Sequence, residues 1–173
     1  MRSVAKWALA MGCVLGVSGL GAASASATDV PSCAAGDLSA VEGASGAGMS
    51  QPFTTIVLTN RSGAPCVVTG YPKIVAMATK DGNQGIAVTR GRIGNISGGG
   101  PKRITLAPGS RAWFALGAAT AYDPPLVTFT RVAFRVNGGV RRVTISLDAT
   151  APAGKPFPIG VTALTAGTPP KNA

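Results

Sequence analysis

After its first 27 residues the chain shows no helical periodicity, and this absence constrains its fold more than any other feature. No segment there repeats apolar side chains every three or four residues over about ten positions, as an amphipathic helix would. Short runs instead alternate apolar or β-branched residues with polar ones, and Gly, Pro and Asn separate the runs. Strands of this kind bury their apolar side chains by pairing into sheets, so the sequence predicts an all-β fold.

The segment from Leu58 to Pro72 shows this pattern most clearly. It continues the alternation that begins at Thr55, as a half-buried strand does. The residues that follow are turn formers, namely Asn60, Ser62, Gly63 and Pro65. The chain then re-enters a sheet at Cys66 and turns again at Tyr71. We therefore predict two strands joined by a tight turn.

The middle of the chain predicts a second hairpin. Arg103–Leu106 and Arg111–Leu116 flank a Pro-Gly pair, which favours a reverse turn. Trp113 points away from the apolar face of the return strand, so we expect it to lie under a loop or at a sheet edge. The preceding segment 90–102 is expected to be an exposed loop, because each glycine costs a helix about 1 kcal/mol.

A third hairpin follows, and its register depends on the length of its turn. The strand Val127–Val136 ends at an Asn-Gly-Gly sequence. A two-residue turn there would place Phe134 opposite Arg141, whereas a four-residue loop would place it opposite Val143. We expect the longer loop because it pairs an apolar side chain with another apolar side chain.

Strand-like runs recur at the spacing typical of a β-sandwich, and roughly seven to nine strands are predicted. Two facing sheets would bury both apolar faces in a chain of this size, and a barrel is the alternative architecture. We assign residues 28–166 to this single β-sandwich domain. Residues 167–173 are expected to form a disordered C-terminal tail.

The first 27 residues have the composition of a secretory signal peptide. Two basic residues precede an apolar run from Trp7 to Leu20, and the small residues 25–27 suit a signal peptidase, with cleavage after Ala25 as the alternative. No second long apolar run follows, so we expect export and no transmembrane segment in the mature chain. Cys13 lies in the apolar run ahead of this cleavage site, and we expect no lipid anchor through it.

Cys33 and Cys66 are the cysteines that remain after cleavage. An even number of cysteines in an oxidising compartment predicts one disulfide. Such a bridge would close a loop of about 34 residues and contribute roughly 3.5–4 kcal/mol in the chain-entropy model. A two-cysteine metal site is excluded because the chain has no histidine and no further thiol to complete a tetrahedral set. We therefore expect no metal and no cofactor.

Residues that the common catalytic mechanisms require are missing from the sequence. Without histidine a serine nucleophile lacks its usual base, and no Ser-x-x-Lys motif occurs in the mature chain. Most acidic residues fall in predicted turns, so no carboxylate pair stands out. The segment 98–102 does not match a phosphate-binding loop, because the spacing differs and no helix follows. We predict a protein without catalytic activity, with an unrecognised enzyme as an alternative.

The chain is strongly basic, with 16 Lys and Arg against 6 Asp and Glu. Excess positive charge on an exported protein favours anionic polymers or lipid headgroups of the cell envelope. Nucleic acid is not expected, because the chain is predicted to be exported and lacks stacking aromatic residues. If the predicted hairpins share a sheet, a cationic surface would combine Lys102, Arg103, Arg111, Arg135 and Arg142. A protein partner at the glycine-rich loops, and charge that serves solubility alone, are the alternatives.

Several short motifs together resemble one known family. They are Cys33, Leu58-Thr59-Asn60, Cys66, Gly70-Tyr71-Pro72, Leu106-Ala107-Pro108-Gly109, Ala112 and Phe114-Ala115-Leu116. Over about residues 33–164 this set is similar to the bacterial domain of unknown function 4232 family, of secreted or lipid-anchored proteins in high-G+C Gram-positive bacteria. The resemblance implies an immunoglobulin-like β-sandwich, a Cys33–Cys66 bridge and no known activity. Members often carry a second cysteine pair in the later half, which this chain lacks. We expect an exported, envelope-associated binding or interaction module.

Overall fold

A computed structural model describes residues 29–48, 51–93, 96, 99–119 and 126–170. The predicted signal peptide and Cys13 lie outside the described residues, as does most of the loop after β8. The described chain is all-β, as predicted. Its strands are β1 Leu38–Gly48, β2 Gln51–Asn60, β3 Cys66–Thr69, β4 Lys73–Thr79, β5 Gly82–Gln84, β6 Ile86–Arg90, β7 Arg103–Leu106, β8 Arg111–Ala118, β9 Val127–Val136, β10 Gly139–Ala149, β11 Phe157–Val161 and β12 Thr165–Ala166.

The strands form two larger sheets and one small one. The six-stranded sheet has the order β1-β2-β8-β11-β6 with β12 also paired to β8, and the four-stranded sheet has the order β10-β9-β4-β5. Strands β3 and β7 form a separate pair. The predicted sandwich is confirmed and the barrel is wrong. The twelve described strands exceed the predicted count, since strands as short as β5 and β12 carry no alternation that a sequence reveals.

Two aromatic contacts join the larger sheets through the core. Phe114 of β8 and Phe134 of β9 are fully buried and meet edge to face, with ring centroids 5.0 Å apart. Phe129 of β9 and Phe157 of β11 meet in the same way at 5.3 Å. Aromatic pairs in this geometry contribute about 0.5–1.5 kcal/mol beyond the burial of their surface. The apolar alternation of β8 and β9 therefore sets the distance and register between the sheets.

Side chains of β1 and β10 connect the sheets along one edge of the sandwich. The Nε atom of Arg141 donates to the Leu38 carbonyl at 3.1 Å. The Glu42 Oε1 atom accepts hydrogen bonds from the Ser146 amide and the Thr54 hydroxyl, each at 2.8 Å. Hydrogen-bonding groups at the open edges of the two sheets therefore find their partners in each other.

The β9–β10 register differs from the expected one. Phe134 lies opposite Arg141, so the connection is the two-residue Asn137-Gly138 turn and the longer loop is wrong. Both turn residues have positive φ, 49° and 82°, which a type I′ hairpin turn requires. Arg141 is tolerated beside Phe134 because its guanidinium leans over the sheet edge to β1.

The predicted hairpin between β7 and β8 is also wrong. β7 pairs with β3, and β8 pairs with β2, so the Pro-Gly turn carries the chain from one sheet to another. Asn60 explains why. Its backbone accepts from the Gly109 amide at 2.8 Å and donates to the Ser110 carbonyl at 3.0 Å. Its buried amide group donates to the carbonyls of Ala64 and Leu106, each at 2.9 Å.

Two of the described residues in the glycine-rich segment 90–102 are buried, contrary to the expectation of an exposed loop. Ile93 and Ile96 are buried and exchange backbone hydrogen bonds of 3.0 and 2.7 Å. They pack on the outer face of the six-stranded sheet in a second apolar cluster that contains Trp113. The position expected for Trp113, under a loop, is confirmed. Ile93 fits because Gly117 and Gly160 lie beneath it without side chains.

A disulfide joins Cys33 to Cys66, and both residues are buried. Hydrogen bonds flank the bridge: the Cys33 amide donates to the Val67 carbonyl at 2.9 Å, and the Val67 amide donates to the Pro31 carbonyl at 2.8 Å. The residues before β1 are therefore attached to β3 both covalently and by backbone hydrogen bonds. At the other end of the domain, the Gly167 amide donates to the Arg111 carbonyl at 2.9 Å, and the assignment of 167–173 as a tail stays a prediction.

We expect loss of the disulfide to reduce the free energy of unfolding by about 3–4 kcal/mol, because the bridge restricts the unfolded chain. Urea denaturation of the Cys33→Ser, Cys66→Ser variant checks this. Reduced wild-type protein is the matched control and should show the same shift. A loss below about 1 kcal/mol would mean that the hydrogen bonds beside β3 hold the N-terminal segment by themselves.

Gly117→Ala is expected to destabilise the protein by about 1–3 kcal/mol, as overpacking usually does. A Cβ atom at Gly117 would clash with the Cγ2 atom of Ile93. Thermal denaturation should show no comparable loss for Gly63→Ala, where nothing lies within 4 Å of the new atom. Adding Ile93→Ala to Gly117→Ala removes the clash, so the combined loss should be smaller than the sum of the separate losses.

Candidate functional site

The structure separates the five basic residues that the sequence analysis grouped. Lys102 lies just before β7, Arg103 begins β7 in the small sheet, and Arg111 begins β8 in the six-stranded sheet. Arg135 and Arg142 lie on β9 and β10 in the four-stranded sheet. The predicted cationic surface required its basic residues to share a sheet, and of the five only Arg135 and Arg142 do so. The turn held by Asn60 is the physical reason, since it directs β7 and β8 into different sheets.

Arg103 is also neutralised locally. Its Nη2 atom lies 2.6 Å from the Asp29 carboxylate and 3.0 Å from the Val30 carbonyl. A groove of about 470 Å³ runs beside it, lined in part by Gly99, Gly100 and Leu164. Two cations line this groove, Lys102 and Arg103, and Arg103 already has an acidic partner, so the groove offers an added anion one unpaired charge at most.

A second groove, of about 620 Å³, lies on the outer face of the four-stranded sheet. Arg131 and Arg135 project from β9 on either side of Ala133, and Arg142 of β10 lies directly opposite Ala133. All three arginines are exposed. We call this feature the cationic groove and define its charged part as Arg131, Arg135 and Arg142.

Small and apolar side chains form the floor of the cationic groove. Ala76 and Ala78 of β4 pair with Ala133 and Arg131, respectively. Val75 and Val140 are 46% and 39% exposed and stand on opposite sides of β9. Because alanine fills so little space, the three guanidinium groups surround a shallow depression.

No acidic side chain lines the cationic groove among the described residues. The side chains of its arginines make no hydrogen bond or ion pair with other described residues, and Lys73 lies across from Arg135 on β4. The carboxylate of Asp148 accepts from the Thr128 hydroxyl at 2.6 Å. It lies six residues along β10 from Arg142, a distance of about 20 Å. The Glu42 carboxylate is nearer, because it accepts from the amide of Ser146, four residues from Arg142. The groove arginines therefore have no ion-pair partner among the described residues.

Like charges on neighbouring strands oppose sheet formation, so this arrangement does not help the fold. Guanidinium groups present planar, paired donors that match carboxylate and phosphate oxygens. The three arginines of the cationic groove are therefore suited to binding anions.

The sequence analysis missed two members of this face. Alternation along β9 could have identified Arg131. Val132, Phe134 and Val136 face the core, so the residues that alternate with them, including Arg131, face out. Lys73 could not be assigned in this way, since its place beside Arg135 depends on pairing between β4 and the distant β9.

Other kinds of site find no support in the described residues. No cluster of three side chains able to hold a metal ion occurs among them. The described part of the chain contains no helix with the length and apolar character needed to cross a membrane. The cationic groove holds no carboxylate or histidine that could act as a general base there.

These features define a class: a small, disulfide-bridged β-sandwich with an arginine-rich groove on one sheet. A family model described as Domain of unknown function (DUF4232) matches residues 33–168, and the chain belongs to that family. No curated protein and no solved structure matches the chain. The match includes the disulfide and all four strands of the sheet that carries the cationic groove.

We expect the triple variant Arg131→Gln, Arg135→Gln, Arg142→Gln to fold normally. Its free energy of unfolding should stay within about 0.5 kcal/mol of wild type or rise at low salt, because repulsion is relieved and no partner is lost. Urea denaturation at low and high salt measures this. A loss of about 2 kcal/mol or more would assign the arginines a structural role instead.

Proposed function

We propose that the protein is an exported, non-catalytic binding module that uses its cationic groove to bind anionic groups of the cell envelope. The observation that carries this proposal is the placement of Arg131, Arg135 and Arg142 around Ala133 without an acidic partner in the described structure. Uncompensated positive charge in a depression raises the local concentration of anions.

Three features support a location outside the cytoplasm. The N-terminal residues have the composition of a signal peptide. The buried Cys33–Cys66 bridge is of the kind that persists in oxidising compartments. Without Arg2 and Lys6 of the signal peptide, 14 Lys and Arg remain against 6 Asp and Glu, and this net charge of +8 suits contact with anionic envelope material.

The alternative partner, a protein bound at the glycine-rich loops, is less well supported. Ile93 and Ile96, the large apolar residues of segment 90–102 and the best anchors it could offer a partner, are already buried against Trp113. Charge that serves solubility alone needs no clustering around one alanine, whereas the observed arginines are clustered.

The proposal predicts salt-dependent binding that the groove arginines carry. Wild-type protein should cosediment with isolated envelopes at low ionic strength and be released at high ionic strength, since screening weakens contacts between exposed charges. The variant Arg131→Gln, Arg135→Gln, Arg142→Gln should lose most of this binding. The bound fraction, measured across a salt series, is the readout.

A control of equal charge separates the groove from net charge. Lys102→Gln, Arg111→Gln, Lys155→Gln also removes three positive charges but leaves the four-stranded sheet unchanged. This control should bind nearly as well as wild type. Equal loss in both triple variants, or binding that does not respond to salt, would contradict the proposal.

A further inference from the structure

The charges of the cationic groove are ordered along one direction. Arg131 and Arg135 lie on one strand four residues apart, a distance of about 13 Å. Arg142 lies opposite the residue midway between them. Diagonal neighbours on adjacent strands are separated by about 7–8 Å, so Arg142 completes a zigzag of three evenly spaced positive charges.

We propose that this zigzag binds an extended linear polyanion with one phosphate-type group per repeat, lying along β9. The inference rests on the proposed function and specifies its ligand. Successive anionic groups would each meet one guanidinium, at a repeat of about 7 Å along the strand. Lys73, across from Arg135, extends the positive path onto β4.

The floor of the groove suits a chain with a carbon linker between its charges. Ala76, Ala78 and Ala133 offer flat apolar surface between the arginines. Val75 and Val140 flank the path and are partly exposed. A polymer that alternates anionic groups with short carbon segments therefore matches the groove in charge and in apolar contact.

The same features disfavour two other polyanionic partners. No aromatic side chain lines the groove, so bases of single-stranded nucleic acid would find nothing to stack on. A membrane surface needs cations that reach a common plane, often with inserted apolar residues. Here the alanines lie lower than the arginine side chains around them, which suits a narrow chain.

Synthetic oligomers of propanediol phosphate, carrying one to six phosphodiesters and a fluorescent label, test the inference. Binding is followed by fluorescence anisotropy with the protein from residue 28 to residue 173. Affinity should rise by about tenfold or more from one phosphate to three, because linked contacts act at a high effective concentration, and should level off beyond four. For three ion contacts the logarithm of affinity should fall with the logarithm of salt with a slope of about −2.

Single substitutions examine the order of the charges. Arg142→Gln leaves two arginines about 13 Å apart, so the gain in affinity from one phosphate to three should be much smaller than in wild type. Lys102→Gln, with the same loss of charge just before β7, should behave as wild type. Ala133→Leu keeps every charge but fills the floor, and it should weaken binding of the three-phosphate oligomer. Thermal denaturation confirms that each variant is folded.

Several outcomes would overturn the inference. Equal affinity for the one-phosphate and three-phosphate oligomers would mean that the groove binds single anions. That result would agree with the proposed function but would contradict a linear polymer as the ligand. Anionic phosphatidylglycerol vesicles that bind while the oligomers do not would make the ligand a membrane surface. Tighter binding of oligothymidylate of equal phosphate number would make it single-stranded nucleic acid. No salt-dependent binding to envelopes, vesicles or oligomers would remove the proposed function itself.

Discussion

The edge-to-face contact between Phe114 and Phe134 is the interaction on which the rest of the structure depends. It joins the two larger sheets at a point where both rings are fully buried. Side chains along a strand alternate between faces, so burial of Phe134 forces Arg135 and Ala133 outward. A shift of one residue would place arginines in the core, which neither the core packing nor the free energy of a buried charge permits. Core packing and the cationic groove are therefore two results of one register.

A second constraint acts at the turns, through one buried side chain and one covalent bond. Asn60 holds the turn before β8 and decides that β7 and β8 enter different sheets. The Cys33–Cys66 bridge fixes the segment before β1 against β3, which belongs to the same small sheet as β7. Without these contacts the Pro-Gly turn would be free to close a simple hairpin. The arginine and lysine residues near it would then share a sheet, and the charge on the surface would be distributed differently.

Local patterns predicted the features that depend on neighbours in sequence. Alternation identified the all-β class and the inward residues of β9, and the motifs identified the family. The errors arose where distant residues decide the outcome. The two-residue turn after β9 is the one that Asn-Gly favours locally, and the pairing that argued against it is tolerated because Arg141 reaches a carbonyl on β1. Ile93 is buried because glycines on β8 and β11 leave room for it. In the cationic groove, Arg135 and Arg142 were predicted, and the alternation along β9 could also have identified Arg131. The position of Lys73 beside the groove could not be predicted, because it depends on the pairing of β4 with β9.

The position of Ile93 over two glycines restricts which substitutions the chain can accept. Its side chain occupies the space that Cβ atoms would take at both Gly117 and Gly160, so the three positions are not free to drift independently. A larger residue at either glycine requires a smaller one at Ile93, and loss of the isoleucine would leave Trp113 with less cover. The identity of one loop residue is thus coupled to two strands of the sheet beneath it.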